Sequence, residues 1–156
     1  MTDKFFTFDK PISEAELITT AKSAIAKRLP NTPILSSAKL VRDYLTLELA
    51  NKPMEVFYVL FLSNQHQLLG MEAMFHGTID GASVYPREIV RKVLEYNAAA
   101  VILAHNHPSG KAEPSRADQT ITARIQEALG FIDVRVVDHL VIGSEEVVSF
   151  AQRGLL

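Results

Sequence analysis

Apolar residues change their spacing several times along the chain, and each change predicts an element. Leu17, Ile18, Ala21 and Ile25 recur at helical intervals behind Ser13 and Glu16. Ser13-x-x-Glu16 is a capping box, in which each side chain satisfies a free backbone N–H of the first turn. Pro30 stops that run. Ser36 or Ser37 opens a second helix with Leu40, Val41, Tyr44 and Leu45 on one face, and Asn51-Lys52-Pro53 ends it. The period switches at Glu55. Val56 to Leu62 is an unbroken β-branched and aromatic run, bounded by Ser63-Asn64-Gln65-His66. It predicts a buried strand turning into a second strand, Leu68 to Phe75.

A loop through Gly77 and Gly81 leads to Pro86, which suits the first position of a helix because its missing N–H would be unpaired there. Ile89, Val90, Val93 and Leu94 give that helix its apolar face. Ala99 to Ala104 is wholly apolar and predicts a central strand. His105 to Gly110 reads as a loop on its Pro and Gly. Ser115 starts a further helix with Ile121, Ile125 and Leu129 inward and Gly130 as its C′ stop. Val134 to Ile142 and Val147 to Phe150 close the chain as strands. Helices and strands alternate, so the fold class is α/β, a mixed sheet sandwiched by helices. Residues 1–53 read as an N-terminal helical extension and 54–156 as the core domain.

Composition narrows the chemistry. The 156 residues, 47% hydrophobic and 22% charged, suit one globular domain. The sequence has no cysteine, which excludes disulfide scaffolds, zinc fingers, iron–sulfur clusters, thiol nucleophiles and Cys-ligated zinc deaminases. A net charge of −2 supplies no basic footprint for duplex DNA. No apolar run approaches the ~20 residues of a membrane helix. The N-terminus lacks a signal peptide's apolar stretch, so a soluble cytoplasmic protein without membrane attachment is expected.

The residues that point to chemistry are His105-x-His107 followed by Ser115-x-x-Asp118. Histidines at i and i+2 on an extended segment project to one side. Both could reach one metal, and Asp118, in the first turn of the next helix, could swing back to the same point. Three protein ligands leave a fourth position for water, as catalytic zinc sites do. Glu72, a carboxylate on an otherwise apolar strand, is the candidate general acid/base if its strand borders the one ending at His105. Ser115 is the candidate donor to a developing oxyanion. Each element also has a plainer reading. His-x-His is the pattern of two surface histidines. Ser115-x-x-Asp118 is a helix N-terminus signature. Glu72 is the kind of charge that blunts an edge strand.

Taken together, Glu72, His105-x-His107, Ser115 and Asp118 resemble the JAMM motif of JAB/MPN-domain metalloproteases. The wider text resembles the bacterial RadC family over residues 54–156. The resemblance lies in Phe75-x-Gly77-Thr78, Val84-Tyr-Pro-Arg-Glu-Ile89, Asn97 through Gly110, Glu113-Pro-Ser-Arg-Ala-Asp118 and Asp138-His-Leu-Val-Ile-Gly143. It implies a cytidine-deaminase-like α/β/α fold and one Zn2+ per chain held by His105, His107 and Asp118. It further implies Glu72 as acid/base and Ser115 as oxyanion stabiliser, but not the physiological substrate. The leading expectation is a zinc-dependent peptidase or isopeptidase, because a metal that polarises a carbonyl and supplies hydroxide suits an amide. The competing expectation is a DNA-repair-associated or protein-interaction module with a structural or vestigial metal. Longer members carry a helix-hairpin-helix region, and residues 1–53 contain no Gly-x-Gly hairpin. Binding to DNA is therefore expected to be weak or absent.

Overall fold

A computed structural model describes residues 5–29, 38–77 and 84–156. Its centre is the strand Ala100–Asn106 (β3), in which every residue is buried. A strand with no polar face needs cover on both sides, and the rest of the chain supplies it. Val56–Leu62 (β1) pairs antiparallel with β3, and Leu68–His76 (β2) pairs with the outer side of β1. Arg135–Ile142 (β4) lies parallel to β3 on its other side, and Val147–Ser149 (β5) completes the order β2-β1-β3-β4-β5.

Strand alternation sorts the core into two layers. Leu60, Leu62, Ile102, Ala104, Leu140 and Ile142 face one side. There Ala38–Leu49 (α2) inserts Val41, Leu45 and Leu49. Glu14–Ala26 (α1) lies further out and buries no residue completely, although Ile25 packs on this layer. Phe57, Val59, Phe61, Val101 and Leu103 face the other side. They meet Ile89 and Val93 of Pro86–Tyr96 (α3) and Ile121, Ile125 and Leu129 of Arg116–Gly130 (α4). The arrangement is the α/β sandwich with a mixed sheet that the sequence pattern predicts.

The Ser13–Glu16 capping box and Pro86 at the helix start are both present. Three boundaries and the facing of one side chain differ from expectation. β3 continues through His105 and Asn106, because Phe57 of β1 and Val141 and Ile142 of β4 extend the pairing past Ala104. Gly130 is the last residue of α4 rather than its left-handed stop. That conformation falls to Asp133 at φ 58°, while Val134 N–H donates to the Leu129 carbonyl. Phe150 begins a short helix, Phe150–Arg153 (α5), instead of ending a strand. The Ser149 side chain caps it and Gly154 ends it at φ 67°, so local capping outweighs the apolar run. Leu94, expected inward, is exposed. Pro30, Ser36, Ser37, Thr78 and Gly81 lie outside the described residues. No helix among the described residues is long and apolar enough to cross a membrane.

The turn after β4 is fastened to the loop after β3 through two glycines. Ser144 N–H donates to the Gly110 carbonyl at 2.9 Å. A Cβ on Gly143 would stand 2.5 Å from that same oxygen and 3.0 Å from the Ala112 nitrogen. Backbone atoms cannot yield as a flexible side chain would. Gly143→Ala is therefore expected to lower unfolding stability by about 1–3 kcal/mol, the usual cost of overpacking. Urea denaturation checks it, and an unchanged midpoint would contradict the close approach.

Candidate metal centre

The site forms beyond the C-terminal end of β3, where an α/β sheet leaves a crevice. His105 and Asn106 are consecutive, so their side chains leave β3 on opposite faces. His105 points to the α4 layer, fully buried, with its ring stacked on Phe57 at 6.0 Å between centroids. His107 lies just past the strand, its N–H bonded to the Ile142 carbonyl at 3.0 Å. Its ring turns back so that the two Nε2 atoms are 3.0 Å apart. Asp118, at the third position of α4, brings Oδ1 to 3.2 Å from His105 Nε2 and Oδ2 to 3.4 Å from His107 Nε2.

A fourth group comes from the residue before β1. Glu55 Oε1 is 3.8 Å from His105 Nε2. Antiparallel pairing puts Phe57 opposite His105, so the start of β1 is bound to lie beside the end of β3. Asn106 fixes that approach from the other face. Its Oδ1 accepts from the Val56 N–H at 2.9 Å, and its Nδ2 donates to the Met54 carbonyl at 3.2 Å. One ligand atom each from Glu55, His105, His107 and Asp118 lies within 4.8 Å of the others. The donor chemistry fits a divalent cation. His107 Nδ1 is 2.8 Å from the Lys111 carbonyl, which can only accept, so the Nδ1 proton is fixed and Nε2 turns inward. Imidazole nitrogen with carboxylate oxygen is a set that suits zinc.

The local field is ordered by Asp118. Burial alone would raise its carboxyl, but the imidazoles of His105 and His107 against it, together with the Ser115 side chain, hold it well below the usual carboxylate range. Its hydrogen bond with His107 in turn raises that imidazole, against the opposing effect of burial. His139 sits behind His105, wholly buried between the rings of Phe57 and Phe150. Burial first, and the neighbouring His105 second, push it well below an ordinary imidazole.

Of the residues singled out from sequence, His105, His107, Asp118 and Ser115 come together. Ser115 caps α4. Its side chain accepts from Asp118 N–H at 3.1 Å, while its own N–H donates to Asp118 Oδ2 at 2.6 Å. Capping and facing the histidines are thus both done by one carboxylate, with Oδ1 left toward His105. Glu72 is not brought to this group. β2 is the edge strand and β1 separates it from β3, so the assumed adjacency does not occur. The Glu72 carboxylate instead accepts from the Tyr96 hydroxyl at 2.8 Å and pairs with Lys92 at 3.2 Å. Glu55 and His139 were not singled out from sequence for this site. A carboxylate immediately before a fully apolar strand was the available sign for Glu55, once β1 rather than β2 is taken as the neighbour of β3.

The raised His107 predicts opposite pH trends for stability and metal binding. In chelator-treated protein the stabilisation from a raised imidazole is complete below about 6.5, the ordinary value, and is lost as pH rises through the raised one. Its melting temperature should therefore fall through that interval. Zinc affinity should rise through the same interval, because the proton competes for Nε2. Thermal melts and zinc titrations between about pH 6 and 9 check both trends around the ordinary value. Parallel or flat curves would contradict the His107–Asp118 coupling.

The sequence profile of RadC-like JAB domains matches residues 35–155. A UPF0758 protein of Methylibium petroleiphilum is 56% identical over 149 residues, covering 94% of this chain and 67% of that protein. One from Cellvibrio japonicus is 63% identical over 123 residues, 79% of this chain and 55% of that protein. One from Vibrio vulnificus is 56% identical over 130 residues, 83% of this chain and 58% of that protein. The chain thus spans 55–67% of the length of these curated relatives. With a profile match across both sheet layers and the whole histidine–carboxylate group, the chain belongs to the RadC-like JAB domain family.

Proposed function

We propose that this domain is a zinc-dependent hydrolase of peptide or isopeptide bonds, with His105, His107 and Asp118 as metal ligands and Glu55 as the general acid/base. The observation that carries the reading is the convergence of two imidazoles and two carboxylates within 4.8 Å at one end of the sheet. A bound divalent cation would supply Lewis acidity, bringing water within reach of deprotonation near neutral pH and polarising a carbonyl. Glu55 stands furthest from His105 Nε2, at 3.8 Å against 3.2 Å for Asp118. That distance suits a carboxylate that accepts the attacking water's proton and delivers it to the leaving amine. The Ser115 oxygen accepts from Asp118 N–H, which leaves its own proton to donate to an oxyanion. Glu72, held by Lys92 and Tyr96, supports the α3–β2 contact instead.

A second reading has its own support. Four protein donors are also the number that structural zinc sites use. In that case Glu55 is a ligand and the site is closed to substrate. DNA binding is the less favoured role. Described cations such as Lys22, Arg91 and Arg153 are paired with carboxylates, at 2.6 Å for Arg91–Glu95 and 2.7 Å for Arg153–Glu113.

Glu55→Gln separates the readings. An acid/base role predicts zinc content and fold like the parent, with cleavage of a pooled peptide and Lys-isopeptide library lost by about 10²-fold or more. A ligand role predicts loss of zinc. Glu72→Gln is expected to leave cleavage within a few-fold. Mass spectrometry of the library reads both variants. Cleavage lost in Glu72→Gln but kept in Glu55→Gln would reverse the assignment.

A further inference from the structure

A line of buried polar groups runs behind His105, on the side away from His107. His105 Nδ1 is 2.8 Å from His139 Nε2. His139 Nδ1 is 2.6 Å from Thr122 Oγ1, and Thr122 Oγ1 is 2.5 Å from the Asp118 carbonyl oxygen. His105 and His139 are 0% exposed and Thr122 is 1% exposed, so these groups must satisfy one another.

Counting protons gives the line a direction. A carbonyl oxygen only accepts, so the Thr122 hydroxyl spends its single proton on Asp118. The Thr122 oxygen can then only accept from His139, which puts the His139 proton on Nδ1. Fully buried between two phenylalanine rings, with its Nδ1 proton given to Thr122, the His139 ring keeps a lone pair on Nε2 rather than a second proton and an uncompensated charge. That lone pair can only accept from His105, which puts the His105 proton on Nδ1. His105 Nε2 is therefore bare, and it is the atom that stands 3.0 Å from His107 Nε2 and 3.2 Å from Asp118 Oδ1. His107 has its Nδ1 proton fixed by a different route, through the Lys111 carbonyl.

We propose that His139 and Thr122 are positioning residues of the metal centre, holding His105 as the Nδ1–H tautomer so that its Nε2 lone pair faces the site. The inference rests on the metal reading above and extends it to a residue pair outside the ligand group. It gives α4 a double task, because Asp118 enters the site and Thr122, one turn later, anchors the tautomer. It also explains why a polar ring is buried between Phe57 and Phe150, where an apolar side chain would pack as well. Metal-binding histidines usually donate to a carboxylate, a carbonyl or water. A neutral imidazole acceptor adds no further negative charge beside Asp118 and Glu55.

The test reads tautomers directly and needs no metal. In chelator-treated protein labelled with ¹⁵N-histidine, long-range ¹H–¹⁵N correlations are expected to report Nδ1–H for both His105 and His139. His139→Phe fills the ring volume and removes the acceptor. It is expected to move His105 toward Nε2–H, which can donate to Asp118, and to weaken zinc binding about 10–100-fold in competition with a chromophoric chelator. His139→Gln returns an acceptor near the Nε2 position and should recover the tautomer and most of the affinity. If His139→Phe does not fold, Thr122→Val against Thr122→Ser asks the same question. Valine should leave His105 a mixture of tautomers and serine should match the parent. An Nε2–H tautomer at His105 in the parent would overturn the proposal. So would parental tautomer and affinity in His139→Phe, or in Thr122→Val. A parent with the expected tautomers that binds no zinc would sink the metal reading and leave the relay standing.

Discussion

A central strand buried on both faces has no place for an unpaired polar side chain, yet β3 ends on two of them. His105 and Asn106 are 0% and 1% exposed. An unsatisfied buried polar group costs about 1–3 kcal/mol, so each forces partners around itself. Asn106 takes the backbone just ahead of β1, and that draws Glu55 to the end of β3. His105 takes His139 on one ring nitrogen and faces Asp118 and His107 with the other. The site is the set of solutions to those two demands. The described residues leave no buried side-chain nitrogen or oxygen without a partner.

The same economy appears at the start of α4. One residue, Asp118, closes the capping box with Ser115 and presents its other oxygen to His105. Helix position and site geometry are therefore coupled, and neither can shift without the other. The loop between β3 and α4 is held at its outer end as well, through Gly110 against Gly143 and Ser144. Rigid elements on three sides are what a preorganised site requires.

Much of this was legible in the chain. Hydrophobic pattern locates β1 over Val56–Leu62, an unbroken apolar run bounded by turn residues, and the missing N–H of Pro86 marks the start of α3. The His105, His107, Ser115 and Asp118 group was legible because strand, loop and helix start follow one another locally. Glu72 misled because spatial order across a sheet is not written in sequence order. The chain pairs β1 with β3, so the carboxylate beside His105 comes from the residue before β1 and not from β2. His139 was legible only as a residue preceding an apolar stretch. Its role depends on β4 lying parallel to β3, which sets His139 against Leu103 and its ring against His105.

Anomalous diffraction at the zinc absorption edge, on crystals of protein prepared without chelator, tests the central claim most directly. The account predicts one peak per chain, bonded at about 2.0–2.1 Å to Nε2 of both His105 and His107 and at about 2.0–2.2 Å to an Asp118 oxygen. Glu55 should stand close by without bonding to it. A peak elsewhere, ligation through Nδ1 of either histidine, or no peak after soaking in zinc would contradict it.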